Sequence, residues 1–515
     1  MLGAASTSFL LLSAATNVLA APKAPSFPVV DLSYERHQAL SYNETTEVYK
    51  FSNIQYAQPP VGQLRFRAPV PPLLNQNEIQ TGPELRACPQ GVPLWQARAY
   101  KPIGMYSSGK EYSLESWEAD IKNSTPPSGG PPPPPTTEDC LFLDIHVTRK
   151  VFDSAKNHNG GCDAPVLVWN GYPSLGFEPD GLLKHAESFE KDGIIFVALN
   201  YRLGALGFLS GLDVEKDGDL NAGLLDQRLA LQWVQDNIHL FGGSRDKVAV
   251  MGESGGGGSA LIHMLNAGNE GYKAPVAQVI AQSPAIFLTA QVPESAYSGF
   301  LEALNVTSLA EAREASSEAV IAANARQIGA APPTSYIHGP VIDRRLIPDY
   351  PHALFEAGQF DKSVKVLAAH NAFEGAFFFD PGVEDDEEFV SWLERSMPGL
   401  SKSQQGYLAK ELYPPQFDGS LGYTGQASRQ MALWGEAVVD CTFLAINEVL
   451  KGKSYAYRFD VTPGLHFQDL KYTFNDPQSP ANRPIAQDIL QTALTSFVMN
   501  GVPQLKGACT DKFLH

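Results

Sequence analysis

Positive charge is scarce in this chain. Lysine and arginine number 38 against 56 aspartates and glutamates, a formal net charge of −18. That balance excludes the basic patches that nucleic acid or an anionic membrane surface requires. Cysteine is also sparse, and the five present form an odd set, so a secreted chain would keep one unpaired. Beyond the N-terminus no apolar run approaches the roughly 18 residues that span a bilayer, and no internal repeat is visible. What remains is an ordinary globular composition, 43% hydrophobic and 10% aromatic over 515 residues, long enough to bury a large core.

The first residues read as a secretory signal. An apolar stretch from Phe9 to Leu19 ends in small residues that suit cleavage after Ala20, giving a signal peptide over 1–20 and a mature chain over 21–515. Sequons at Asn43, Asn123 and Asn305 fit the same route. Cys88 and Cys140 bracket a segment holding Pro131 to Pro135, which can form neither helix nor inner strand and must be a surface loop. The partners of Cys162, Cys441 and Cys509 stay open, with Cys441–Cys509 one guess among them.

Short β-branched runs alternate with longer amphipathic stretches. Strands are expected at Ala164–Trp169, Gly193–Asn200, Lys247–Met251, Val276–Ala281 and Val364–Ala369, with a helix around Asp226–Val234. This alternation predicts an α/β fold with a mainly parallel sheet covered on both faces. The rest of the chain reads as insertions into one domain.

The most informative pattern is Gly252-Glu253-Ser254-Gly255-Gly256, directly after the apolar run Val248–Met251. A serine in Gly-x-Ser-x-Gly between a strand and a helix is a nucleophile elbow, a sharp turn that lifts the hydroxyl clear of the sheet. The N–H groups at the start of the helix behind it face a developing oxyanion.

A serine hydroxyl needs a base, and the base needs an orienting acid. In an elbow sheet these follow in the order serine, acid, histidine. Of the histidines after Ser254, His263 lies too close along the elbow helix and His515 at a terminus prone to fray. His466 follows the strand-like Tyr455–Asp460 in a loop, where a base belongs. Glu374 follows the strand ending at Ala369 and precedes Phe377-Phe378-Phe379, an apolar setting costly for a carboxylate without hydrogen bonds. The acidic run Glu384–Glu388 reads as a solvated face.

Together these stretches resemble the type-B carboxylesterases of the cholinesterase and fungal lipase family. The likeness is carried by Thr137–Asp144, by Asn200–Gly204, by Asn221–Gly256 with Asp226-Gln227 and Phe241-Gly242-Gly243 inside it, by Asn371–Gly375 and by His466. It runs from about residue 27 to 505 and implies an α/β-hydrolase, the triad Ser254, Glu374 and His466, and a Cys88–Cys140 bridge. It also implies that Trp95, Tyr100, Tyr106, Tyr112 and Trp117, inside that bridge, overhang the pocket. The substrate implied is a small ester or a lipid-like molecule, the mechanism requires no metal or cofactor, and the sequence is silent on oligomeric state.

The chain departs from that family where the oxyanion hole is built. Members usually carry three glycines after the strand that here ends at Trp169; this chain reads Asn170-Gly171-Tyr172-Pro173. Proline has no N–H, and one lost donor costs roughly 100- to 1000-fold in turnover. The hole then falls to Gly255 with Gly171 or Tyr172. Gly255 also stands where alanine is usual, opening a run of four glycines. A secreted ester hydrolase is the leading expectation. The altered loop leaves two others, non-hydrolytic chemistry on a metabolite and a catalytically weak binding protein.

Overall fold

The computed structural model describes residues 27–107, 110–125, 136–157, 163–171, 177–189, 193–265, 271–286, 294–474 and 483–505. The calls on the signal peptide, the proline run, Tyr172, Pro173, Cys162 and Cys509 lie outside these residues.

Among the described residues, twelve strands form two sheets. A small one joins β1 (Val29–Asp31), β2 (Glu35–Gln38) and β5 (Asn75–Gln80). The large one holds β3 (Ser41–Asn43), β4 (Val48–Gln55), β6 (Phe142–Thr148), β7 (Ala164–Asn170), β8 (Ile195–Leu199), β9 (Gly243–Glu253), β10 (Gln278–Gln282), β11 (Lys365–Asn371) and β12 (Ser454–Phe459). Its order is β12-β11-β10-β9-β7-β8-β6-β4-β3. Pairing is parallel from β12 through β8 and antiparallel from β8 through β6 and β4 to β3.

The pleat explains why the central strands read as unbroken apolar runs. Val166, Val168, Val248, Val250, Val279, Ala281, Val366 and Ala368 face one layer, which includes helices Ala222–Asn237 and Gly255–Ile262. The alternate residues Leu167, Trp169, Ala249, Met251, Ile280 and Leu367 face the other, with helices Asp180–Phe189 and Pro484–Asn500. Side chains alternate along a strand, so a sheet covered on both faces has no polar side to show.

Cys88 and Cys140 are joined, closing a loop of 52 residues in sequence separation. Within it Trp95, Tyr106 and Trp117 are buried, and Trp117 Nε1 donates to the Ala376 carbonyl at 2.6 Å. These rings pack under the Phe377–Phe379 stretch, whereas Tyr100 is exposed. Cys441 is a free, exposed thiol at the start of helix Cys441–Val449. The acidic run Glu384–Glu388 is exposed throughout, as a solvated face is; within it Asp385 caps helix Asp386–Ser396, and Asp386 pairs with the buried guanidinium of Arg429 at 2.7 Å.

Candidate active site

The parallel register aligns the strand ends that carry the site. Glu253 of β9 pairs with Gln282 of β10, which pairs with Ala369 of β11, and Asn371 pairs with Phe459 of β12. The residues that follow each strand therefore meet along one edge of the sheet, where parallel α/β sheets place their sites.

Ser254 sits at the elbow with φ 53° and ψ −120°, a left-handed conformation strained for a serine. Three backbone bonds hold it there. Its N–H donates to the Gln282 carbonyl at 2.9 Å, and its own carbonyl accepts from Gly258 at 2.9 Å and Ala285 at 3.0 Å. The turn closes so tightly that a methyl group on Gly252 would stand 2.4 Å from the Gly256 backbone. Gly255 N–H is the first of helix Gly255–Ile262 and has no intrahelical acceptor.

His466 lies in the loop after β12, 2% exposed. Gln468 Oε1 accepts from the N–H groups of Gly464 at 2.9 Å and Leu465 at 3.0 Å, shaping that loop. The imidazole stands 3.0 Å from Ser254 Oγ through Nε2 and 2.5 Å from Glu374 Oε2 through Nδ1. Rings of Phe377, Phe378 and Phe467 surround it with centroids 6.0, 5.5 and 4.2 Å away.

Glu374 is 3% exposed, and donors surround its carboxyl group. Its Oε1 accepts from Ser283 Oγ at 2.8 Å and from the backbone N–H of Asn371. With both oxygens accepting, Nδ1 of His466 donates, which leaves Nε2 of a neutral imidazole free to take the serine proton.

Two more buried acids stand close by. Glu253 is 3.4 Å from His466 Nε2, and its Oε1 has no hydrogen-bond partner. Burial, then the neighbouring Asp469 and Glu374, push its carboxyl well above the usual glutamate range. Asp469 accepts from Tyr457 OH at 2.8 Å, Gln282 Nε2 at 3.0 Å and Asn371 Nδ2 at 3.3 Å. Sequence reasoning missed Ser283, Asp469 and the acid beside the serine. Glu253 sits inside the Gly-x-Ser-x-Gly motif and was open to notice; the other two carry no local pattern.

On the opposite side of Ser254, Asn170 ends β7 and donates through Nδ2 to Ser259 Oγ at 2.7 Å. Gly171 follows, so close to the Trp169 indole that a methyl group there would lie 2.8 Å from Nε1. Three other described histidines after Ser254 are engaged elsewhere. His263 is buried with Nε2 2.8 Å from Gln227 Oε1, His338 lies 2.7 Å from the same type of oxygen on Gln327, and His370 pairs with Asp440 at 2.9 Å. Among the described residues no three His, Cys, Asp or Glu side chains are placed to share a metal ion.

The strand order, the elbow after β9 and the serine–histidine–carboxylate chain at the sheet edge define an α/β-hydrolase. The carboxylesterase family model matches residues 36–512. Carboxylesterase patB of Penicillium expansum is 36% identical over 504 residues, 94% of this chain and 90% of that protein. Para-nitrobenzyl esterase of Bacillus subtilis (strain 168) is 27% identical over 486 residues, covering 89% of this chain and 88% of that one. Among solved structures, EstA of Aspergillus niger superposes with a TM-score of 0.74 at 24% identity, covering 94% and 91% of the two chains. The chain belongs to the carboxylesterase family and is a carboxylic ester hydrolase.

Proposed function

We propose that this esterase works through a covalent acyl-enzyme, with Ser254 as nucleophile, His466 as base and Glu374 as the orienting acid. The observation that carries the reading is the unbroken chain from Ser254 Oγ through His466 to Glu374, at 3.0 and 2.5 Å. His466 Nε2 takes the serine proton as Oγ attacks the ester carbonyl. Glu374 holds the tautomer and balances the imidazolium. The oxyanion rests on Gly255 N–H with a second donor from Gly171 or Tyr172. His466 then protonates the departing alkoxide, and water repeats the sequence to release the acid.

The substrate class is a small carboxylic ester or lipid-like ester, acted on by residues 21–515 as one catalytic domain. We further propose that the protein travels the secretory route. The Cys88–Cys140 bridge supports this, as do the exposed positions of Asn43, Asn123 and Asn305. No helix among the described residues is long and apolar enough to cross a membrane.

A fluorescent phosphonate and a short-chain chromogenic ester test the mechanism. Labelling and turnover that both vanish in Ser254→Ala are expected. Turnover that survives Ser254→Ala overturns the assignment of the nucleophile.

A further inference from the structure

The four glycines after Ser254 are not equivalent. A methyl group would stand 2.8 Å from the Asn170 carbonyl oxygen if built on Gly256, 2.9 Å from that of Gln282 if built on Gly257, and 2.2 Å from that of Ala285 if built on Gly258. Close backbone approach therefore demands glycine at all three positions. Gly255 is different. Its φ lies outside the left-handed region, and a methyl group there would meet no described atom within 4 Å. It is exposed, directly beside the half-buried Ser254. Glycine in a helix costs up to roughly 1 kcal/mol relative to alanine. Neither backbone geometry nor packing explains its presence here.

The chemistry of the adduct gives the empty space a use. Three groups surround the tetrahedral carbon on Ser254 Oγ. The oxyanion points to Gly255 N–H, and the leaving oxygen must face His466 Nε2, which protonates it. Around His466 stand the rings of Phe377, Phe378 and Phe467. Resting on Ser254 as the nucleophile, we propose that the acyl chain passes over Gly255 and that its missing methyl sets specificity, admitting acyl groups branched at the carbon next to the carbonyl. The N–H that Gly255 offers the oxyanion is the same in alanine, so the effect belongs to bulk alone.

The test compares para-nitrophenyl acetate with para-nitrophenyl pivalate, which share a leaving group and differ by the three methyl groups on the carbon next to the carbonyl. Wild type, Gly255→Ala and Gly255→Val are assayed, with thermal unfolding followed for each. The expected result is a roughly tenfold fall in the pivalate-to-acetate ratio of kcat/KM in Gly255→Ala. The fall deepens in Gly255→Val, while Gly255→Ala unfolds no earlier than wild type. A ratio that stays constant in both variants overturns the inference, as does a wild type that cleaves acetate but not pivalate. A wild type that cleaves neither ester and takes no phosphonate overturns the nucleophile assignment itself, and this inference with it.

Discussion

Ser283 donates its hydroxyl to Glu374 at 2.8 Å, on the carboxylate oxygen that His466 does not use. Ser283 is itself a strained residue, φ 45°, in the turn after β10. Two neighbouring strand ends thus cooperate: one supplies the acid and the other fixes its rotamer. Removing a donor from a buried carboxylate costs about 1–3 kcal/mol. Ser283→Ala is expected to lower kcat about tenfold with little change in KM, measured on a short-chain ester. A variant with wild-type kcat would show that the Asn371 N–H suffices.

Glu253 gives a prediction in pH. Its folded carboxyl is raised by burial and by Asp469 and Glu374. Below the ordinary glutamate range both folded and unfolded chains hold this proton; above it only the folded chain does. Folding is therefore penalised progressively as pH rises from that range. Glu253→Gln mimics the protonated acid and removes the penalty. Its Tm is expected to exceed wild type at pH 8, with the difference closing near pH 4. An equal difference at both ends contradicts the account.

Buried histidines act in the opposite direction. Burial, with a smaller contribution from Lys50, holds His146 down to about 3, and burial holds His338 down to about 4. As pH falls below the unfolded histidine value near 6.5, the unfolded chain gains protons that these two sites refuse. Each then withdraws about 1.5 kcal/mol of stability between pH 6.5 and 5. Urea unfolding across that range is expected to show the loss, with the His146 share of about 1.5 kcal/mol removed in His146→Phe.

Asp226 lies in a stretch that carried the family resemblance, yet it is remote from the chemistry. It grips Arg202 through two side-chain bonds of 2.6 and 2.7 Å, both residues fully buried. Removing one partner of such a pair leaves an uncompensated charge. Asp226→Ala is expected to lose about 3–5 kcal/mol in denaturant unfolding, with specific activity per folded molecule unchanged.

The sheet and the elbow were legible because they rest on patterns only a few residues long. Val166–Trp169 and Val248–Met251 announce doubly covered strands, and Gly-x-Ser-x-Gly announces its turn. Glu374 and His466 were reachable because each follows a strand-like run, and histidines are few. Ser283 and Asp469 were not. Ser283 meets its partner 91 residues away, and nothing near it in sequence marks a hydroxyl that will face a carboxylate. The aromatic residues of the Cys88–Cys140 loop read either as pocket walls or as packing, and burial of Trp95, Tyr106 and Trp117 agrees with packing, because large rings with few polar atoms gain more from burial than from exposure. The acidic run hid a cap and an ion pair, since a helix start attracts carboxylates whether or not water surrounds them.

The acid and histidine loops are stitched together: Phe373 N–H donates to the Gly464 carbonyl at 2.8 Å, and Phe373 bridges to Leu465. Glu374 and His466 thus sit on one stitched unit, which meets Ser254 through His466 Nε2 and the β10 end through Ser283. Any distortion that slides β11 and β12 together against β9 would spare the carboxylate–imidazole contact and break the serine–imidazole one. Ester turnover is thereby a sensitive gauge of how well the two halves of the sheet are joined, and it should fade before the bulk of the secondary structure does.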